Sequence, residues 1–206
     1  LGIRRGDYVI RVNNRKVLNG LLHSVQGGSS AKMELNILRA IDKLDKVGIS
    51  GVQQLLGKGR KDESGAFIPG IGLSTGDIDV ISSYLACTDA EDRLQFCDVI
   101  RGFFRTEDQV VQKPVGMEGV EELREIDAAL TAAGYGSDRV RFDSTVVRGL
   151  EYYTGPVFEG VLTFKIEDEE GQPRQFGSVF GGGRYDDLVK RFLGREIPAT
   201  GASIGV

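Results

Sequence analysis

Strand periodicity stands at the two ends of this chain and is missing from its middle. DYVIRVNN, residues 7–14, sets Tyr8, Ile10 and Val12 on one side and Val9 and Arg11 on the other, the two-residue period of a half-buried strand. No such pattern recurs between about residue 25 and residue 118. It returns in RVRFDSTVV (139–147), PVFEGVLTFKI (156–166) and RQFGSVF (174–180), with EDEEGQP (167–173) as a polar hairpin connection. A single strand is not stable alone, so the first must join the sheet built by the last third. The fold class this predicts is α+β: an antiparallel sheet flanked by helices and interrupted by an all-α insertion module. The expected parts are a first piece of core over 1–26, a helical insertion over 27–118, and the second piece of core over 119–206.

Helical spacing fills the rest. After Asn13-Asn14 closes the first strand, Val17, Leu18, Leu21 and Leu22 predict a short helix, and HSVQGGSS (23–30) reads as a linker. Met33, Ile37, Leu38, Ile41, Leu44 and Val47 share one face of a helix from 31 that Gly48 ends as a C-cap. A shorter amphipathic piece starts at Ser50, and DESGAFIPGIGLSTGDID (62–79) is loop-rich. A further helix begins at a Ser74 or Thr75 cap with acids in its first turn, and residues 91–104 continue helically. Val120, Leu123, Ile126, Leu130 and Ala133 predict a helix that stops at Gly134. GGGRYDDLVKRFL (181–193) reads as a glycine turn leading into a helix with Leu188, Val189, Phe192 and Leu193 on its apolar side, and ATGASIGV (199–206) is strand-like.

Composition removes several kinds of chemistry. Hydrophobic residues at 40% and charged residues at 27% suit a soluble globular chain, and no apolar run approaches the ~20 residues that span a bilayer. A single histidine, His23, gives a catalytic triad or a histidine-ligated zinc site almost nothing to use. Cys87 and Cys97 form no CxxC pair and read as cytosolic thiols, neither metal-bound nor disulfide-bonded. With a net charge of -4, nucleic-acid contact needs a local basic patch; the densest, GKGRK (57–61), runs into Asp62 and Glu63 and reads as a solvated loop. The chain starts at Leu1 without a signal pattern and stops at Val206 after an apolar run, so both ends read as cut.

Chemistry concentrates in three glycine-bearing stretches: RGLEYYTG (148–155), GSVFGGGRYDDL (177–188) and GASIGV (201–206). There is no Walker A lysine and no GxGxxG at a strand-to-helix turn, so a nucleotide would be held in another way. Glycine-rich antiparallel strands leave a flat floor for a planar ligand, and Arg148 and Arg184 could grip phosphate or carboxylate by forked hydrogen bonds. Tyr152, Tyr153 and Tyr185 could supply an aromatic wall; from spacing alone they equally read as hairpin packing.

VVRGLEYYTGPVFEG (146–160), FGSVFGGGRYDDLV (176–189) and PATGASIGV (198–206), in that order, resemble the catalytic core of the histidyl-tRNA synthetase family, class II aminoacyl-tRNA synthetases. The resemblance is strong over about 119–206 and weak within 31–118. It implies ATP-dependent activation of L-histidine to histidyl-adenylate and transfer to the 3' end of tRNA(His), by a cytoplasmic homodimer without membrane attachment. Magnesium is implied with the ATP phosphates, and no tightly bound metal. The resemblance places Arg148 beside the α-phosphate and the histidine carboxylate, where other class II enzymes use a metal. Tyr152 and Tyr153 would recognise the imidazole; Gly182 and Gly183 would floor the amino acid pocket, with Tyr185 as a wall. Gly201 and Gly205 resemble the start of the third class II motif, under the adenine. Arg184 is either a site residue or, the favoured role, a salt-bridge partner of Asp186 or Asp187, and Glu151 orients its neighbours or touches ligand.

The first and second class II motifs are not in this stretch, so the 206 residues are half of an active site and are expected not to activate histidine alone. The family's insertion reaches over the tRNA acceptor stem, although nothing in the composition of 27–118 argues RNA binding. One rival is a catalytically dead paralogue serving as regulatory subunit of ATP phosphoribosyltransferase in histidine biosynthesis. Such proteins lose the arginine motif, and Arg148, Tyr152 and Tyr153 are all present here. A second rival, a sensor domain binding uncharged tRNA within a larger kinase, would be marked by a kinase domain.

Overall fold

The structure, a computed structural model, describes residues 3–25, 30–88, 92–104, 115–148, 152–164, 166–167, 171, 173–174 and 177–205. Residues 26–29 of the expected 23–30 linker, residues 168–170 of the 167–173 connection and Glu151 lie outside the described residues.

The chain opens with β1 (Tyr8–Asn14), which turns directly into α1 (Arg15–Ser24) because Asn14 keeps an extended backbone and its side chain caps the Lys16 amide at 2.9 Å. The middle segment runs α2 (Ala31–Ile41), α3 (Leu44–Leu56), β2 (Gly59–Lys61), β3 (Phe67–Pro69), α4 (Thr75–Leu85) and α5 (Arg93–Gly102). Ser30 caps α2 and Ser74, not Thr75, caps α4. Gly48 interrupts the helical backbone inside α3 at φ 67°, ψ 175°, so the expected break stands there. The helix expected to run unbroken from 31 to Gly48 already ends at Ile41, and α3 begins at Leu44.

One amendment concerns the all-helical middle: β2 and β3 pair as an antiparallel hairpin, Gly59 opposite Pro69 and Lys61 opposite Phe67. Strands of three residues carry too few alternations for their period to show. Gly59 has φ 101°, and a Cβ there would lie 2.3 Å from the Ile68 carbonyl oxygen, so the hairpin closes only around glycine.

The last third holds α6 (Val115–Ala132), β4 (Val140–Phe142), β5 (Pro156–Leu162), the short ladder β6 (Ile166–Glu167) with β7 (Pro173–Arg174), then β8 (Phe180–Arg184), α7 (Asp186–Leu193) and β9 (Thr200–Ile204). Gly134, at φ 76°, ends α6 with the Tyr135 amide reaching back to Leu130 O at 2.8 Å. The principal sheet has the order β4-β1-β5-β8-β9. Its pairs are antiparallel except β1 with β4, which run parallel with Ile10 opposite Val140. RVRFDSTVV was expected as one more antiparallel strand; only Val140–Phe142 is strand. A two-residue period fixes faces but not direction, and here α6 carries the chain back across α1 and β1 before β4 begins.

A second correction concerns the glycines after Phe180. They are not a turn: Gly181, Gly182 and Gly183 form the middle of β8, hydrogen-bonded to β5 on one side and β9 on the other.

Helices α1 and α6 meet so closely that a Cβ on Gly20 would stand 2.5 Å from the Gly116 Cα. Val12, Leu18, Leu21, Ile37, Val52, Ile81, Phe96, Val120 and Phe142 all belong to one buried cluster, so the middle helices and the sheet share a core. The end of the apolar side of α7 stays uncovered: Phe192 is 78% exposed and Leu193 59%, while Leu188 and Val189 are half-buried.

Candidate active site

Register sorts the sheet into two faces. Directly paired residues point to the same side, so Asn13 with Val157, Arg11 with Glu159, Gly181 with Ser203 and Gly183 with Gly201 share one face. Phe158, Gly182 and Arg184 belong to the other, against which α6 packs.

Arg148 leaves β4 on a loop fixed from below. The Asp143 amide donates to Val12 O at 2.9 Å, and its carboxylate accepts from the Thr145 amide (2.9 Å) and hydroxyl (2.6 Å) while facing Arg11 Nε at 3.4 Å. The fully buried Asn13 donates from Nδ2 to Ser144 O (3.2 Å), Val146 O (3.0 Å) and the Tyr84 hydroxyl (3.0 Å). Val146 and Val147 are thereby drawn into the interior. Arg148 emerges next, its Nε donating to Glu159 Oε2.

Beneath it lies the glycine floor. A Cβ on Gly181 would reach no closer than 3.4 Å to Phe158 O and 3.7 Å to Arg148 Cδ; one on Gly183 would press to 2.9 Å of the Tyr153 ring. Arg148 and Tyr153 therefore meet the floor at alternate residues of one strand. The missing side chain of Gly182 points instead at the Phe158 ring, 2.7 Å from a built Cβ, so Gly182 offers the site only backbone.

The tyrosines stand in a row. Tyr152 and Tyr153 have ring centroids 4.4 Å apart, and Tyr153 and Tyr185 6.4 Å. Burial, and then its contact with Tyr152, pushes the Tyr153 phenol well above the ordinary tyrosine range, so it stays a neutral donor and acceptor at neutral pH. The Tyr185 hydroxyl lies where a Cβ on Gly201 would come within 2.5 Å of it. Tyr185 thus backs Tyr153 and covers Gly201, while a cleft of about 660 Å³ is lined by Arg148, Tyr152, Tyr153, Glu159, Gly181 and Gly205. The opposite wall, Asp42, Asp45 and Lys46 from the α2–α3 junction, adds charges of both signs.

Arg184 does not join this cleft. It bonds Asp186 through Nε at 2.8 Å, Asp186 accepts the Ala199 amide at 2.9 Å, and the Arg184 carbonyl accepts the Thr154 amide at 2.8 Å. These contacts tie β8, α7 and β9 together, the structural role its spacing favoured.

Asn13, Glu159 and the Asp42–Lys46 wall escaped the sequence reading. Glu159 had a signal: an acid on the same strand face as Val157 and Val161 is out of place in a core-facing row. Nothing local marked Asn13 or the wall. Among the described residues no three His, Cys, Asp or Glu side chains gather in a metal-binding group, and no helix is long and apolar enough to cross a membrane.

Comparisons with known proteins show what the chain and its fold are similar to. The family model described as histidyl-tRNA synthetase matches residues 78–206. The histidine–tRNA ligase of Ruegeria pomeroyi is 52% identical over 206 residues, all of this chain and 40% of that protein. That of Paracoccus denitrificans is 53% identical over 205 residues, again 40% of its length; the chain thus spans about two fifths of these relatives. The crystal structure of histidyl-tRNA synthetase from Nostoc sp. PCC 7120 superposes with a TM-score of 0.74 at 28% identity, covering 98% of this chain and 41% of that one. A structure titled ATP phosphoribosyltransferase regulatory subunit/histidyl-tRNA synthetase, from Bacillus halodurans, gives 0.68 at 23% identity over 98% of this chain and 43% of that one, and shows the shared fold alone.

Proposed function

This chain belongs to the histidyl-tRNA synthetase family, and from that premise we propose that it supplies the amino acid side of the activation site in a histidine–tRNA ligase. The reaction joins L-histidine to ATP and passes the histidyl group to the 3' end of tRNA(His), in a cytoplasmic homodimer. One observation carries this reading: Arg148 and Tyr153 stand over Gly181 and Gly183 on one face of β8. Alternate strand residues are roughly 7 Å apart, close to the span from the carboxylate to the imidazole of one histidine.

In the step so assigned, a histidine carboxylate oxygen bonds to the α-phosphorus as the bond to the pyrophosphate oxygen breaks. No proton has to move. Charge grows on the α-phosphoryl oxygens, and a fixed guanidinium placed there, Arg148, lowers the barrier. It also draws the substrate carboxylate into line. Tyr153, with Tyr152 beside it, presents hydroxyls to the imidazole; a side chain without ring nitrogens leaves them unpaired, which discriminates strongly. Gly205 lines the cleft and leaves room for a flat adenine, while Gly201, on the Gly181/Gly183 face by register, is covered by the Tyr185 hydroxyl.

Magnesium accompanying the ATP phosphates has no ready ligand set among the described residues: Glu159 is engaged by Arg148 and the wall carboxylates come with Lys46.

Histidine-dependent exchange of pyrophosphate into ATP by the whole protein, assayed against the other amino acids, tests the proposal. Exchange with histidine alone is expected. Its absence from folded protein would favour the regulatory-subunit reading.

A further inference from the structure

We propose that Glu159 is the positioning residue of Arg148, holding its guanidinium in the orientation that activation requires; this rests on the function proposed above and extends it to a residue outside the arginine motif. Arg148 stands on the loop that follows β4, and its side chain is 48% exposed. A long side chain so placed would sample many rotamers, and fixing it at the moment of reaction would cost conformational entropy.

Glu159 removes that freedom beforehand. It sits in β5, among the most firmly held backbone of the sheet, with β1 on one side and β8 on the other, and its side chain is only 12% exposed. Its Oε2 accepts from Arg148 Nε, the single N–H on the inner edge of the guanidinium. The donors of the terminal nitrogens lie outside this bond, and Arg148 lines the cleft. The loop contacts of Asn13 and Asp143 fix where the Arg148 backbone leaves the core, and Glu159 fixes where the side chain points. Arg11, opposite Glu159 in the β1–β5 register and paired with Asp143, puts a second cation on this face. Replacing Glu159 by an apolar residue would leave Arg148 without its carboxylate partner on this face.

The test is a double-mutant cycle in the whole protein, because a residue acting only through Arg148 has nothing left to do once Arg148 is gone. Glu159→Ala is expected to lower kcat for histidine-dependent exchange by about 10–100-fold, with a much smaller change in the KM for histidine, and Glu159→Gln, which keeps the acceptor oxygen, to recover part of it. In the Arg148→Ala background, Glu159→Ala should add less than about 2-fold. Independent, multiplying losses would overturn the proposal, as would parent-level kcat in Glu159→Ala.

A second measurement needs no turnover and separates this claim from the functional reading. Phenylglyoxal modification of Arg148, followed by peptide mass spectrometry, should run several-fold faster in Glu159→Ala than in the parent, since the free guanidinium loses its partner. Equal rates would refute the positioning role even if exchange is robust; faster modification in a protein without exchange would keep the pair and discard the ligase.

Discussion

Arg148 and Arg184 stand on opposite faces of the same sheet. Arg148 lies over Gly181, while Arg184, one residue out of phase with Gly183 and Gly201, points to the α6 side and is tied to Asp186. A strand period of two makes this unavoidable.

The two arginines should therefore respond differently to truncation. Arg184→Ala removes a partly exposed ion pair, worth about 1 kcal/mol or less, and should lower the thermal midpoint slightly while exchange stays within about 3-fold of the parent. A loss as large as that from Arg148→Ala would place Arg184 in the site after all.

The three glycines of β8 give a graded series. A Cβ on Gly181 meets only ordinary contacts, so Gly181→Ala should fold normally but crowd the floor beneath Arg148. Gly182→Ala would drive into Gly201 O (2.1 Å) and the Phe158 ring (2.7 Å), costing about 1–3 kcal/mol as overpacking does. Gly183→Ala strikes Pro156 O at 2.7 Å and the Tyr153 ring at 2.9 Å, so its signature should be a raised KM for histidine along with lost stability. Thermal midpoints and histidine titration of the three variants check the order.

The buried polar link between the middle helices and the sheet makes a sharper demand. Tyr84→Phe deletes a hydroxyl that both accepts from and donates to Asn13, which should cost about 1–3 kcal/mol. It should also lower kcat, because the same Asn13 amide holds Ser144 and Val146 ahead of Arg148. Asn13→Asp, facing those carbonyls with acceptors only, should be the more damaging, by roughly 3 kcal/mol or more. Denaturation midpoints with kcat measured in parallel decide it.

How much of this could be read from residues follows from what repeats in a chain. Val17, Leu21 and Leu22, or Val120 and Leu123, mark their helices because apolar spacing over several turns is redundant. Gly134 and Ser74 mark their ends because capping has local chemistry. Gly181–Gly183 misled because glycine, lacking a side chain, shows no period, and turn and strand look alike. Arg148 and the tyrosines were visible through the motif they form together. Their support was not, since Asn13, Tyr84 and Glu159 come together only through the tertiary fold.

Burial pushes the Cys97 thiol up to about 12, and this sets a pH limit. In the unfolded chain the thiol ionises near its ordinary 9.0, while the folded state keeps its proton. Stability is thus full below about pH 9 and falls as pH rises further, by at most about 1.4 kcal/mol per unit. The Tyr84 phenol, raised by burial, adds to the fall at higher pH. Denaturation midpoints of the parent and Cys97→Ala between pH 8 and 10 should diverge, the variant showing the flatter profile.

Whether Arg148 stabilises charge at the α-phosphate is decided by histidine-dependent pyrophosphate exchange in the whole protein and its Arg148→Ala variant. Exchange is expected in the parent, with a loss of about 10²-fold or more in a variant that remains folded, as removing one preorganised donor does. Parent-level exchange in the variant would contradict that role.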